Sequence, residues 1–178
     1  MVNKNMTMKR FTFIVGACLL IANPIAAIAK QDCKPDLASS TPTQRFNHND
    51  NGTLSDTQTG LMWKTCLEGQ RGGKCKDGSP ERMQWQIATN RTQLANQRKF
   101  AGYSDWRLPT LTELKSIIEQ RCMAPASNLE VFPNMQAVNL WSGSQSDPKA
   151  WSMDFTQGKI LNNFKGAGNY VRLVRNSR

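Results

Sequence analysis

Apolar and polar positions along this chain follow three different rhythms. From Ser79 to Gly102 the period is helical: Trp85, Ala88, Thr92 and Ala95 recur on one helix face. Ser79 suits the cap of that helix, Pro80 its first position, Glu81 the positive end of its dipole, and Gly102 its stop. A second helical period, Leu111, Leu114 and Ile118, follows the stretch "GYSDWRLPT". Elsewhere the rhythm is that of strands. Asn51-Gly52 is a hairpin signal, with short strands expected at Thr53–Asp56 and Leu61–Lys64 around the turn "TQTG". Toward the C-terminus "LWSGSQ", "AWSMDF", "KILNNF" and "YVRLVR" are rich in β-formers and separated by turns at Asp147-Pro148, Gln157-Gly158 and Gly166–Gly168. Two helices between strand-rich ends predict an α+β domain of short antiparallel strands, with a sheet built from strands far apart in sequence.

The stretch Gly102–Ile118 is the most constrained. Thr110 and Glu113 form a T-x-x-E capping box, in which each side chain takes a free N–H at the helix start. Pro109 restricts Leu108 to an extended conformation, so the direction of the chain is set before the helix begins. Trp106 and Leu108 alternate with Arg107 and point to one side. Asp105 and Arg107 are expected to pair, or to bond backbone, near the helix start. Asp105, Trp106, Arg107, Pro109, Thr110 and Glu113 therefore read as a cornerstone of the fold, not as a reaction centre.

The first 29 residues are different in kind. Lys4, Lys9 and Arg10 precede the apolar run Phe11 to Ile21, and Ala27-Ile28-Ala29 is a small-x-small cleavage site. That is the pattern of a secretory signal peptide, too short in its apolar run for a membrane span. The expected organisation is a signal over residues 1–29, an extended polar lead-in over 30–44, and one domain over 45–178. Cys18 leaves with the signal. Cys33, Cys66, Cys75 and Cys122 remain, an even number in an exported chain, which argues for two disulfides. Three pairings are possible. The glycine-rich "LEGQRGGK" between Cys66 and Cys75 favours that closure, which leaves Cys33 for Cys122.

Loss of Lys4, Lys9 and Arg10 lowers the formal net charge from +10 to +7. The excess points to anionic partners such as acidic polysaccharide. Lys149, Lys159 and Lys165, on expected turns and strand ends, are the candidate charge contacts, whereas Arg172 and Arg175 flank Leu173 as candidate structural pairs. Export argues against nucleic acid.

Chemistry finds little support. Asn47, Asn49, Asn51 and Gly52 resemble a calcium loop in spacing, but Gln58 stands where the bidentate glutamate belongs, so the hairpin is preferred. No CxxC occurs and His48 is the sole histidine, which argues against zinc. No cofactor is expected. Catalysis would rest on His48 or on some pair among Asp50, Asp56, Asp105 and Asp154, and no nucleophile motif accompanies them.

"GTLSDTQTGLMWKTC", "GYSDWRLPTLTELKSII", "VFPN", "LWSGS", "AWSMDFTQGK" and "VRLVR" occur in order. Together they resemble the C-terminal domain of the collagen-like adhesin Lcl, an exported bacterial family, over roughly residues 45–176. The resemblance implies a C-type-lectin-like fold related to the formylglycine-generating enzymes. For the founding adhesin it implies binding to sulfated glycosaminoglycans. This chain has no Gly-x-y stalk, no Glu-Pro-Asn or Gln-Pro-Asp calcium motif, and no late cysteine pair for copper. The expectation is a secreted or periplasmic, non-catalytic binding module for an anionic glycan or an envelope partner. The alternatives are a structural envelope protein that binds another protein, or an enzyme related to sulfatase-modifying oxidases.

Overall fold

The computed structural model describes Met1 and residues 31–177. The expected signal peptide, its expected cleavage site and Cys18 lie outside the described residues. In chain order the elements are β1 (Asp32–Cys33), β2 (Phe46–Asn49), β3 (Thr53–Asp56), β4 (Leu61–Lys64) and α1 (Trp85–Gln97). There follow α2 (Leu111–Ser116), β5 (Cys122–Met123), β6 (Asn139–Ser146), β7 (Lys149–Asp154), β8 (Lys159–Phe164) and β9 (Val174–Asn176).

The hairpin signal at Asn51-Gly52 is used as expected: Asn49 pairs with Thr53 across the turn, and Gly52 takes a φ of +80°. β3 and β4 occupy the two predicted strand positions and continue the meander. β9 then joins β4, with Trp63 opposite Val174, so the C-terminus completes a sheet begun near residue 46. The sheet order is β2-β3-β4-β9. One sheet was expected. Instead there are three, because β6-β7-β8 form a separate antiparallel sheet and β1 pairs only with β5.

Adjacent residues on a strand face opposite ways. On the β6-β7-β8 sheet Leu140 and Met153 therefore enter one core, with Leu114, Ile117 and Phe132. Trp141 and Ala150 enter the other, with Trp85, Trp106 and Leu173. The sheet is thus a partition, buried on both sides over β6 and β7. Beyond it runs β8, an edge strand whose Ile160 and Phe164 stay exposed.

The first helix begins five residues later than its composition suggests, at Trp85 and not at Pro80. Glu81 N–H donates to the Glu68 carbonyl (2.9 Å), and Met83 exchanges backbone bonds with Asn169 (2.8 and 3.1 Å). This pairing holds residues 79–84 extended and buries Met83, so Gln84 takes the cap position and Ser79 caps nothing. At its far end the helix stops at Gln97, short of Gly102, because Lys99 and Ala101 adopt left-handed backbone angles. The expected stripe survives: Trp85, Ala88 and Ala95 are buried. The "YVRLVR" segment forms a strand only over its last residues, since Tyr170 makes a lone parallel bridge to Leu140 instead.

The second helix starts where the capping box places it. Thr110 Oγ1 accepts from Glu113 N–H (3.2 Å), and Glu113 Oε2 accepts from Thr110 N–H (2.7 Å). Six residues make a weak helix by themselves, so its start depends on this cap. Thr110→Ala is expected to cost about 1 kcal/mol, read as a lower urea midpoint. An unchanged midpoint would show that packing of Leu114 alone holds the helix.

Candidate functional site

The sulfur pairing is Cys33–Cys122 and Cys66–Cys75, the one that loop composition favoured. The second disulfide closes a loop on the surface. Arg71 inside it and Asp77, two residues beyond Cys75, exchange backbone bonds (2.7 and 3.2 Å). Gly69 has a φ of +92°, and a Cβ there would collide with the Ser79 carbonyl. The loop is therefore rigid although glycine-rich. It holds Arg71, Lys74 and Lys76 in exposed positions.

Between this loop and the Asn49–Thr53 turn lies a cleft of about 650 Å3. His48, Asp50, Lys64, Arg71, Gly72 and Phe100 contribute to its walls. On the other side of His48 a second depression of about 450 Å3 is lined by Lys74, Lys76, Glu130 and Asn134. Lys64 is committed, to Glu68 at 2.5 Å and to the Phe100 ring at 4.3 Å. Among the described residues Arg71, Lys74 and Lys76 make no ion pair with a carboxylate.

Behind the cleft wall sits Arg172, fully buried. It donates to the Lys64 carbonyl (2.8 Å) and to that of Thr65, and stacks on Phe132 at 4.5 Å. Burial lowers its pKa to about 9, which still leaves the guanidinium charged at neutral pH. Sequence reasoning placed Arg172 among structural pairs, and its partners prove to be carbonyls and an aromatic ring, not a carboxylate.

The three lysines singled out from the sequence do not converge. Lys149 lies opposite Phe164 at one end of the β7–β8 pair, and Lys159 lies opposite Asp154 at the other. Five residue steps separate those ends, roughly 17 Å along the strand. Lys165 is occupied: it bonds Gln145 (2.7 Å) and Asp147, and covers the Trp85 ring at 4.6 Å. The stapled loop escaped notice as a basic surface because its three cations are spread through a segment read only for disulfide closure.

The cornerstone residues lie apart from the cleft walls. Asp105 and Arg107 do not pair with each other. Arg107 makes a two-pronged bond to Glu113 (2.7 Å each), and Asp105 takes Arg175 (2.7 Å). Burial raises the Glu113 pKa, but the bonds from Arg107 and Thr110 outweigh it and hold the carboxyl below the usual range. Trp106 is locked by Asn96, which bonds both its N–H (2.7 Å) and its carbonyl (2.9 Å). The Pro109 carbonyl accepts from Gly143 N–H (2.8 Å), tying the helix start to β6.

Comparison with known proteins agrees with the motifs. No curated protein matches the chain. The family model of the Lcl C-terminal domain matches residues 52–175, which takes in β3 to the start of β9, the stapled loop and the cornerstone. This chain belongs to the Lcl C-terminal domain family.

Proposed function

We propose that this chain is an exported, non-catalytic binding module that recognises an anionic polysaccharide through its stapled loop. The carrying observation is the set Arg71, Lys74 and Lys76, exposed beside two depressions and without carboxylate partners among the described residues. A rigid loop loses little conformational freedom on binding, so its charges act at full value. Export accords with two disulfides, which persist in oxidising compartments. Among the described residues no helix is long and apolar enough to cross a membrane.

The non-catalytic part of the reading rests on where the reactive groups are spent. All four described cysteines are crosslinked, so no thiol pair remains for copper. Asp56 and Asp105 are each held by an arginine. Lectin-like describes this reading of the fold, with glycan contact made by charge and not through calcium.

Heparin chromatography tests the surface. Arg71→Glu/Lys74→Glu/Lys76→Glu is expected to elute at clearly lower salt than the parent. The slope of binding against log salt should flatten by roughly one unit per contact, as for phosphate contacts. Lys149→Glu/Lys159→Glu/Lys165→Glu is expected to shift elution less, because its charges are dispersed and Lys165 is already paired. Unchanged elution of the loop variant removes the proposal.

A further inference from the structure

The β7–β8 pair carries an apolar strip that stays open to solvent over β8. Cross-strand partners share a face, which groups Lys149 with Phe164, Trp151 with Asn162, and Met153 with Ile160. α2 covers Met153 on that face, through the core that Met153 shares with Leu114 and Ile117. It leaves β8 open, where Phe164 is 60% and Ile160 48% exposed. Trp151 is half-buried beside them. Near the β7–β8 turn, exposed Met123 lines a depression together with Lys115 and Gly158.

We infer that this strip docks on the surface of an anionic phospholipid bilayer. Its charges fit such a partner. Lys149 covers the Phe164 ring at 4.7 Å at one end, and exposed Lys115 stands beside Met123 at the other. Long lysine stems lie along apolar surface while their ammonium heads reach outward to headgroups. Aromatic rings such as Trp151 and Phe164 suit the headgroup boundary. The acidic groups nearby do not oppose it: Asp147 is paired with Lys165, Asp154 lies on the opposite face, and Glu119 is buried.

Two other occupants fit less well. A second copy pairing β8 with β8 antiparallel, with Ile160 opposite Phe164, joins only two apolar cross-strand pairs and leaves Lys149 without an acidic partner. A protein partner normally needs roughly 800 Å2 on each side, more than two exposed apolar side chains on one strand edge supply. Shallow insertion into lipid needs only a few. Polysaccharide, rich in hydroxyls, gains little from Ile160 and Phe164.

Co-sedimentation tests the inference on the oxidised chain from Lys30 onward, which holds every described element. The probes are phosphatidylcholine vesicles with and without about 30% phosphatidylglycerol. Binding to the anionic vesicles is expected. Ile160→Ser/Phe164→Ser should weaken it by at least about tenfold, and Lys149→Glu by about fivefold or more. Heparin elution of Ile160→Ser/Phe164→Ser should stay at the parent value, so this result and that for the stapled loop stand or fall separately. Equal vesicle binding by the double-serine variant overturns the inference. So does equal binding to vesicles lacking phosphatidylglycerol, or a dimer in light scattering that the double-serine substitution dissociates.

Discussion

Asp56→Ala is expected to lower the unfolding free energy by about 3–5 kcal/mol, enough to unfold much of a domain of ordinary stability. Asp56 has no exposed side-chain surface, and Arg45 exposes only 8% of its own. Arg45 Nε donates to Asp56 Oδ1 at 2.7 Å, and a second guanidinium nitrogen donates to Oδ2. The same carboxylate accepts from Gln58 N–H (3.0 Å) and Thr59 Oγ1 (2.7 Å), closing the β3–β4 turn. Burial raises its pKa, but the bonds from Arg45 and Thr59 win and hold it below the usual range. Alanine would remove every acceptor and leave Arg45 charged in the interior.

The size of the effect comes from that orphaned charge more than from the lost bonds. Arg45→Met/Asp56→Leu should therefore be far milder than Asp56→Ala, because exchanging a buried pair for apolar side chains is often near neutral. Urea denaturation of the three proteins reads this directly. A cost below about 1 kcal/mol for Asp56→Ala would mean that Arg45 swings out to water, and that the pair does not hold the turn.

Acid sensitivity is the second large expectation, and it centres on Glu119. This carboxylate is 1% exposed. It accepts from Ser40 N–H (3.1 Å), Thr41 N–H (3.2 Å), Thr41 Oγ1 (2.8 Å), Arg121 N–H (3.3 Å) and Ser39 Oγ. Burial raises its pKa, yet these donors outweigh burial and bring it from 4.5 to about 2. A folded value below the unfolded one means that the carboxylate stabilises the fold above pH 4.5. That contribution is lost as pH falls toward 2. Its size is roughly 3 kcal/mol for a shift of this extent.

Glu119→Gln should therefore flatten stability against pH between 4.5 and 2, while the parent declines steeply there. Hydrogen exchange should locate the change at the amides of Ser40 and Thr41, because Cys33–Cys122 still tethers the lead-in. If the parent and Glu119→Gln lose stability in parallel through this pH range, Glu119 does not anchor the segment.

Several features were legible in the chain. The β3–β4 hairpin, the β8 strand and the α2 cap lie where turn residues and the capping box put them, because each is decided within a few residues. α1 was legible only in its buried stripe. Its start moved because Met83 found a backbone partner at Asn169, a contact no local propensity describes. The lysine trio is dispersed for the same reason. Lys149, Lys159 and Lys165 are near in sequence, but antiparallel pairing puts the first two at opposite ends of β7–β8 and hands the third to Asp147. Arg71, Lys74 and Lys76 emerged as a surface only when the closed loop was seen against the Asn49–Thr53 turn.

By itself the sequence determined the family motifs, the mixed class of structure, the favoured cysteine closure and the places where chains turn. Those depend on dihedral preference, capping and short loops, which act over a few bonds. Tertiary structure alone decided the three-sheet arrangement, the partners of Asp105 and Arg107, the burial of Arg172 and the grouping of free charges. Each of these brings together residues dozens of positions apart, and desolvation then selects which polar groups must be paired and which may remain facing water.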